Sequence, residues 1–412
     1  MRQALPAVSL LVLSLLAACG GADAPAPTPG SPSTTASPPP LPSVTTAEDP
    51  AGPTSPAPDP RIAVLADWLL GNQDSGGALQ DDRGGDVCNE DSNMEYALAG
   101  LGAAFSATGD PRYLAALERG IRWLAARQEM ADGPWRGSWF YVYACRPPYA
   151  PVATSPGAGV TDVRGVDSTG ALFVYLLWLH ARLSGSDALA QELSSNARGA
   201  LDFVLDRDLD ANGFTFSSWQ LSGGAWRLWR YQYAADQADV LLGLRAGGLL
   251  FGSSGQRYAA AADRIAQGLA ARFFDAGAGR FSEGLDEDGD LDFSEEFDGI
   301  FPQGYIPWVL GPSAQAIAAY QWLARGVQSD GRVVLFNGDP GYSLTADVLS
   351  LAASRLGAPR PATSLDWLFS NTYVAATGAV QDTAERGSDE TSNVVGFTIL
   401  ALVGKGPFEL GP

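Results

Sequence analysis

The 412-residue chain carries a formal charge of −20 at pH 7, from 46 acidic against 26 basic residues. That balance disfavours nucleic acid and anionic membrane surfaces as partners, since both would be repelled, and suits a neutral or cationic substrate. Its length supports one large core or two smaller ones.

Residues 1–18 combine a short basic start, an apolar run from Val8 to Leu16 and small residues ahead of Cys19, the pattern of an export signal. The apolar run is shorter than the roughly 20 residues needed to span a bilayer. Leu16, Ala17, Ala18 and Cys19 resemble the lipobox of bacterial lipoproteins. The resemblance implies cleavage before Cys19, lipidation of that cysteine and an extracytoplasmic domain anchored to the bacterial cell envelope. The lipid is then the only contact with the bilayer. The alternative is an ordinary signal peptide with a chance cysteine.

Residues 19–60, rich in Pro, Ser, Thr, Ala and Gly, bury too little apolar surface to offset their ordering entropy and read as a disordered tether. The folded domain is expected over residues 61–412, as a monomer. With Cys19 lipidated, Cys88 and Cys145 are expected to pair as a disulfide, the alternative being two free thiols.

Along the domain an apolar helical stretch recurs six times, each copy carrying a marker side chain about ten residues before a glycine-bearing turn. The pairs are Trp68 with Gly77, Trp123 with Gly133, Phe203 with Gly213, Leu269 with Gly279, Trp322 with Gly331 and Trp367 with Gly378. Glycine takes positive φ without a Cβ clash, so it can end a helix and reverse the chain. Between the turns lie more apolar helices, at 95–107, 169–183, 234–251, 345–357 and 392–404. Such helices, apolar on nearly every side, are expected to be buried. The stretch FPQGYIPWVLGP at 301–312 holds the fourth inner position but contains three prolines, which predicts no full helix there.

Six helical hairpins with inner and outer members close naturally into an all-α toroid; an irregular solenoid is the second choice. The order of helix, glycine turn, strand-like loop and inner helix, with DLDANGF at 208–214, resembles the six-hairpin glycosidase superfamily, an (α/α)6 toroid, over about residues 61–405. The resemblance is architectural and implies a cleft where the inner helices begin.

Acidic residues gather at those starts: Glu90, Asp91 and Glu95; Asp162 and Asp167; Asp236 and Asp239; Glu295, Glu296 and Asp298; Asp389 and Glu390. Each alone is explained by helix capping; together, in a closed ring, they face one cavity. Asp167 and Asp236 are the acid/base candidates, with Asp91, Asp298 and Glu390 in support. A desolvated carboxyl keeps its proton and one beside Arg164 or Arg230 loses it, the separation that two-carboxylate glycoside hydrolysis requires. Trp135, Trp139, Tyr143, Trp226, Trp229, Tyr231 and Tyr233, with Arg164, are expected to hold an oligo- or polysaccharide; the competing reading is that these rings plug the toroid.

Asp286, Asp288, Asp290 and Asp292, followed by Glu296, alternate like the oxygen ligands of a calcium loop, with a weaker version at Asp206, Asp208, Asp210 and Asn212; a solvated acidic turn is the alternative. No organic cofactor is implied. The single histidine, His180, lies late in an apolar helix and reads as structural, which argues against imidazole chemistry and zinc. The expected function is a surface-tethered glycoside hydrolase. The alternatives are a polysaccharide lyase, using a tyrosine or arginine of YQY (231–233) or RPPY (146–149), and a non-catalytic glycan-capturing or scaffold lipoprotein.

Overall fold

The computed structural model describes residues 57–157, 159–293, 297–336 and 338–411. The export signal, Cys19, the tether up to residue 56, and Glu295 and Glu296 lie outside the described residues.

Six hairpins are present among the described residues, each an outer helix followed by an inner one. They are α1 (Pro60–Asn72) with α2 (Asn93–Thr108), α3 (Pro111–Arg127) with α4 (Asp167–Ser184), and α5 (Ser194–Phe203) with α6 (Ala234–Phe251). The second half comprises α7 (Gln256–Arg272) with α8 (Pro302–Leu310), α9 (Ala314–Ala324) with α10 (Ser343–Leu356), and α11 (Ala362–Asn371) with α12 (Ser392–Val403). Each inner helix packs on the inner helices before and after it, and α12 packs back onto α2, so the ring closes into an (α/α)6 toroid.

Local chemistry explains the hairpins. Gly109 ends α2 at φ 71°, and Asp110 accepts the Arg112 N–H at 2.9 Å ahead of Pro111, a helix stop followed at once by a helix start. The marker glycines all have positive φ. At Gly77 and Gly331 an added Cβ would also sit 2.2 Å and 1.9 Å from the carbonyl oxygens of Arg119 and Thr363 on the next outer helices, so the turns are pressed against their neighbours.

The inner helices are largely buried; residues 167–177 of α4 are buried without a break. Small residues let their backbones meet. A Cβ on Gly100 of α2 would lie 2.6 Å from Gly396 Cα of α12, and one on Gly243 of α6 would lie 2.2 Å from the Ala171 oxygen of α4.

The fourth inner element corrects the expectation from its prolines, for residues 302–310 are helical. Pro302 stands in the first turn, where no intrahelical N–H is needed, and Pro307 lies inside a helix only nine residues long and almost wholly buried. Burial in the ring outweighs the hydrogen bond that Pro307 removes.

Long loops join each outer helix to its inner partner, and short ones lead to the next hairpin, so one end of the ring collects nearly all the irregular chain. A three-stranded antiparallel sheet, Val160–Arg164, Ser218–Ser222 and Ala225–Trp229, stands at that end. Residues 404–411 cross the other end. There the Pro407 carbonyl accepts from Tyr175 Oη at 2.8 Å, the Lys405 carbonyl from Trp308 Nε1 at 2.9 Å, and the Gly411 carbonyl from Ser106 Oγ at 2.7 Å.

Candidate active site

Five carboxyls from three inner helices, or the turns leading into them, interact electrostatically where those helices begin: Asp91 and Glu95 at α2, Asp167 at α4, Asp236 and Asp239 at α6. Asp167 is fully buried. Its Oδ1 accepts the Ser168 N–H of its own first turn at 2.8 Å and its Oδ2 accepts from Thr215 Oγ1 at 2.5 Å. Burial pushes its carboxyl up to about 8 despite these donors. Asp239 accepts from Tyr96 Oη at 2.7 Å and also from Tyr305 Oη, and burial raises it to about 7. Glu95, 1% exposed, has one oxygen 3.4 Å from Asn89 Nδ2 and the other without a partner, and burial raises it to about 8.

Asp236 and Asp91 differ because solvent reaches them. Asp236 is part-exposed and Asp91 exposed, yet both are ringed by protein that displaces bulk water. That desolvation, with repulsion from Asp167, Asp91 and Asp239, drives Asp236 well above the carboxylate range. Desolvation, with repulsion from Glu90 and Asp298, raises Asp91 to about 6. Burial and repulsion thus favour the protonated form of Asp236, while Asp91, near 6, is largely ionised at neutral pH. Asp298, in the short helix Phe297–Ile300, interacts with both Asp91 and Tyr233.

Other expected site residues lie elsewhere. Glu390 pairs with Arg83 at 3.4 Å on the rim rather than joining the acid group. Arg164 is no partner of Asp167; its guanidinium lies 4.2 Å over Trp135 and 4.4 Å over Phe140. Arg230 is exposed. Trp139 and Tyr143 are buried to 2%. The Trp139 indole N–H donates to the Leu124 carbonyl at 2.8 Å and Tyr143 packs edge-on to Trp123, so both are core residues.

The remaining aromatics divide between the sheet's two faces. Strand alternation puts Trp226 and Trp229 on opposite sides. Trp226 meets Trp135 at 5.1 Å, and Trp135 meets Trp219 at 5.6 Å. Trp229 stacks on Tyr231 at 6.1 Å, and Tyr231 meets Tyr233 at 4.4 Å. Tyr233 is the member that interacts with Asp298, Asp236 and Asp91, so this second set borders the acids.

At the acidic turn of 286–292, Asp286 Oδ1 accepts the N–H groups of Asp288 and Asp290 at 3.0 Å, and Asp292 accepts from Tyr231 Oη at 3.0 Å. In the weaker loop Asp210 accepts from Asn212 and Phe214, and Asp208 is buried against Trp219 Nε1 at 2.8 Å. Among the described residues no three His, Cys, Asp or Glu side chains are grouped to hold a metal ion. Glu296, needed for the expected calcium cage, lies outside them. Cys88 and Cys145 form a disulfide with Cα atoms 5.0 Å apart. His180 is buried near the end of α4, 3.7 Å from Glu118. Tyr149 of RPPY donates to Asp74 and packs on Trp123, away from the acids.

Tyr96, Tyr305 and Asp347 escaped the sequence reading. Asp347 is buried in α10, with one oxygen accepting from Thr398 Oγ1 at 2.8 Å and the other unpartnered. A lone acid in the apolar run LTADVLSLAA was the available signal.

No family model matches the chain, and no curated protein matches it. Solved structures do. A D-mannose isomerase superposes with a TM-score of 0.62 at 12% identity over 86% of this chain and 98% of that one. Cellobiose 2-epimerase from Spirochaeta thermophila gives 0.61 at 15% identity over 83% and 95%. A wild-type glycosidase gives 0.59 at 14% identity over 85% and 98%. At these identities the likeness is one of fold: all share the toroid found here.

Proposed function

We propose that the protein is a glycan-active enzyme, a glycoside hydrolase in which Asp236 is the general acid and Asp91 the general base. The observation that carries this reading is the split between two solvent-reached carboxyls, one driven well above the carboxylate range and one near 6. Asp236 passes its proton to the glycosidic oxygen as the C1–O bond breaks. Asp91 takes a proton from the water that attacks C1. The two residues come from the third and first hairpins, with α4 packed between their inner helices, and we read the pair as inverting, with the attacking water between the two carboxyls.

Trp229, Tyr231 and Tyr233 offer flat amphipathic faces for the sugar rings. Asp167 is closed to solvent, and burial keeps it protonated to about 8, so it adds no charge beside Asp236 at neutral pH. Imidazole-based isomerisation is disfavoured, since His180 lies 13 residues into α4 from Asp167, roughly 20 Å along the helix axis. The extracytoplasmic, lipid-anchored location belongs to the same proposal; it rests on residues 16–19 and is tested by loss of acyl labelling in Cys19→Ala.

The deciding assay measures new reducing ends from neutral and amino-sugar polysaccharides. Asp236→Asn and Asp91→Asn are each expected to lower kcat by about a hundredfold or more, and proton NMR is expected to show inverted anomeric configuration. Release of unsaturated sugars would transfer the protein to the lyases. Retention of a glycan without turnover would make it a capture protein.

A further inference from the structure

We infer that Asp81 is a positioning residue for Asp91, acting through the backbone of the loop that carries it. The inference rests on the reading of Asp91 as general base. Asn89, Asp91 and Ser92 have φ of 58°, 47° and 65°, all in the left-handed region and none of them glycine. A short segment with this backbone relaxes unless its surroundings hold it, and such segments concentrate at functional sites.

The ties are explicit. Asp81, 3% exposed, accepts the Asn89 N–H on Oδ1 at 2.9 Å and the Glu90 N–H on Oδ2 at 2.7 Å. Its own carbonyl accepts the Ser392 N–H at 2.7 Å, which joins the loop to the start of α12. On one side of the loop, Cys88 pairs with Tyr143 in a two-residue ladder and is bonded to Cys145. On the other, Ser92 Oγ lies 2.8 Å from Ser168 Oγ and 2.9 Å from Thr169 Oγ1 in the first turn of α4. Asp91 is thus the free residue of a loop held at both ends, and Asp81 is the side chain that engages its amides. Burial raises the Asp81 carboxyl well above its usual range, but each of its oxygens accepts a backbone N–H, an arrangement that fits the ionised form; an amide presents one acceptor and would set its NH2 against the second N–H.

The test is Asp81→Asn in the full chain. With Asp91 displaced, kcat is expected to fall by about tenfold to a hundredfold with little change in KM. The acidic limb of the rate profile, set by Asp91, is expected to move to lower pH as that carboxyl regains water. Introduced into Asp91→Asn, the same change is expected to have almost no further effect on rate. An equal loss in both backgrounds would mark Asp81 as merely structural, and an unchanged kcat and pH profile would overturn the inference. If Asp91→Asn itself keeps full activity, it is the assignment of the base that fails. Should Asp81→Asn not fold, reduction of Cys88–Cys145 in the folded protein probes the loop from its other tie. A reversible fall in kcat with the same limb shift is expected, and full activity of the reduced protein would refute the held-loop account.

Discussion

Glu95, Asp167 and Asp239 keep their protons up to about 8, about 8 and about 7 because burial disfavours the anion. In the unfolded chain the same groups ionise near pH 4. Between about pH 4 and pH 8 the unfolded state therefore binds fewer protons than the folded one, and stability falls as pH rises through that window. Melting temperature is expected to be higher at pH 5 than at pH 8, and Glu95→Gln should flatten that slope in a pH series of thermal melts. The aromatics separate in the same way. Trp139→Ala should cost about 3–5 kcal/mol by chemical denaturation, while Trp229→Ala should leave stability nearly intact and raise KM. The sequence announced acids at helix starts and tryptophans in loops, but a carboxyl's water supply and a ring's orientation depend on neighbours far along the chain. Hence the sequence pattern puts Asp236 and Trp229 in one class with Glu390 and Trp139, which do other work.

Hairpins were far easier to read than side-chain roles, because stops and starts such as Gly109, Asp110 and Pro111 are local chemistry. The misread element was α8, whose prolines argue against a helix that the ring nonetheless imposes. Packing between elements yields a paired prediction. Gly100→Ala drives a methyl into Gly396 where the last inner helix meets the first, and should cost about 1–3 kcal/mol. Gly71→Ala near the end of α1 has open space, and should gain up to about 1 kcal/mol. Urea titrations of the two variants should move in opposite directions.

At the scale of the whole molecule, residues Pro58–Pro412 form one compact unit whose last inner helix packs on its first. Circular dichroism and tryptophan fluorescence are expected to report coincident unfolding, because no hairpin can leave without opening the ring. The crossing segment at 404–411 has a different consequence. With Tyr175, Trp308 and Ser106 all bonded to it, the ring is a cup rather than a tunnel. A polymer cannot be threaded through and passed out behind. A polymer bound as proposed would have to dip in end-first or lie across the opening, and any fragment released would leave by the way the next chain arrives. On the proposed hydrolase reading, substrate entry and product exit share that one opening, so slow exchange there would cap turnover whatever the acid and base achieve.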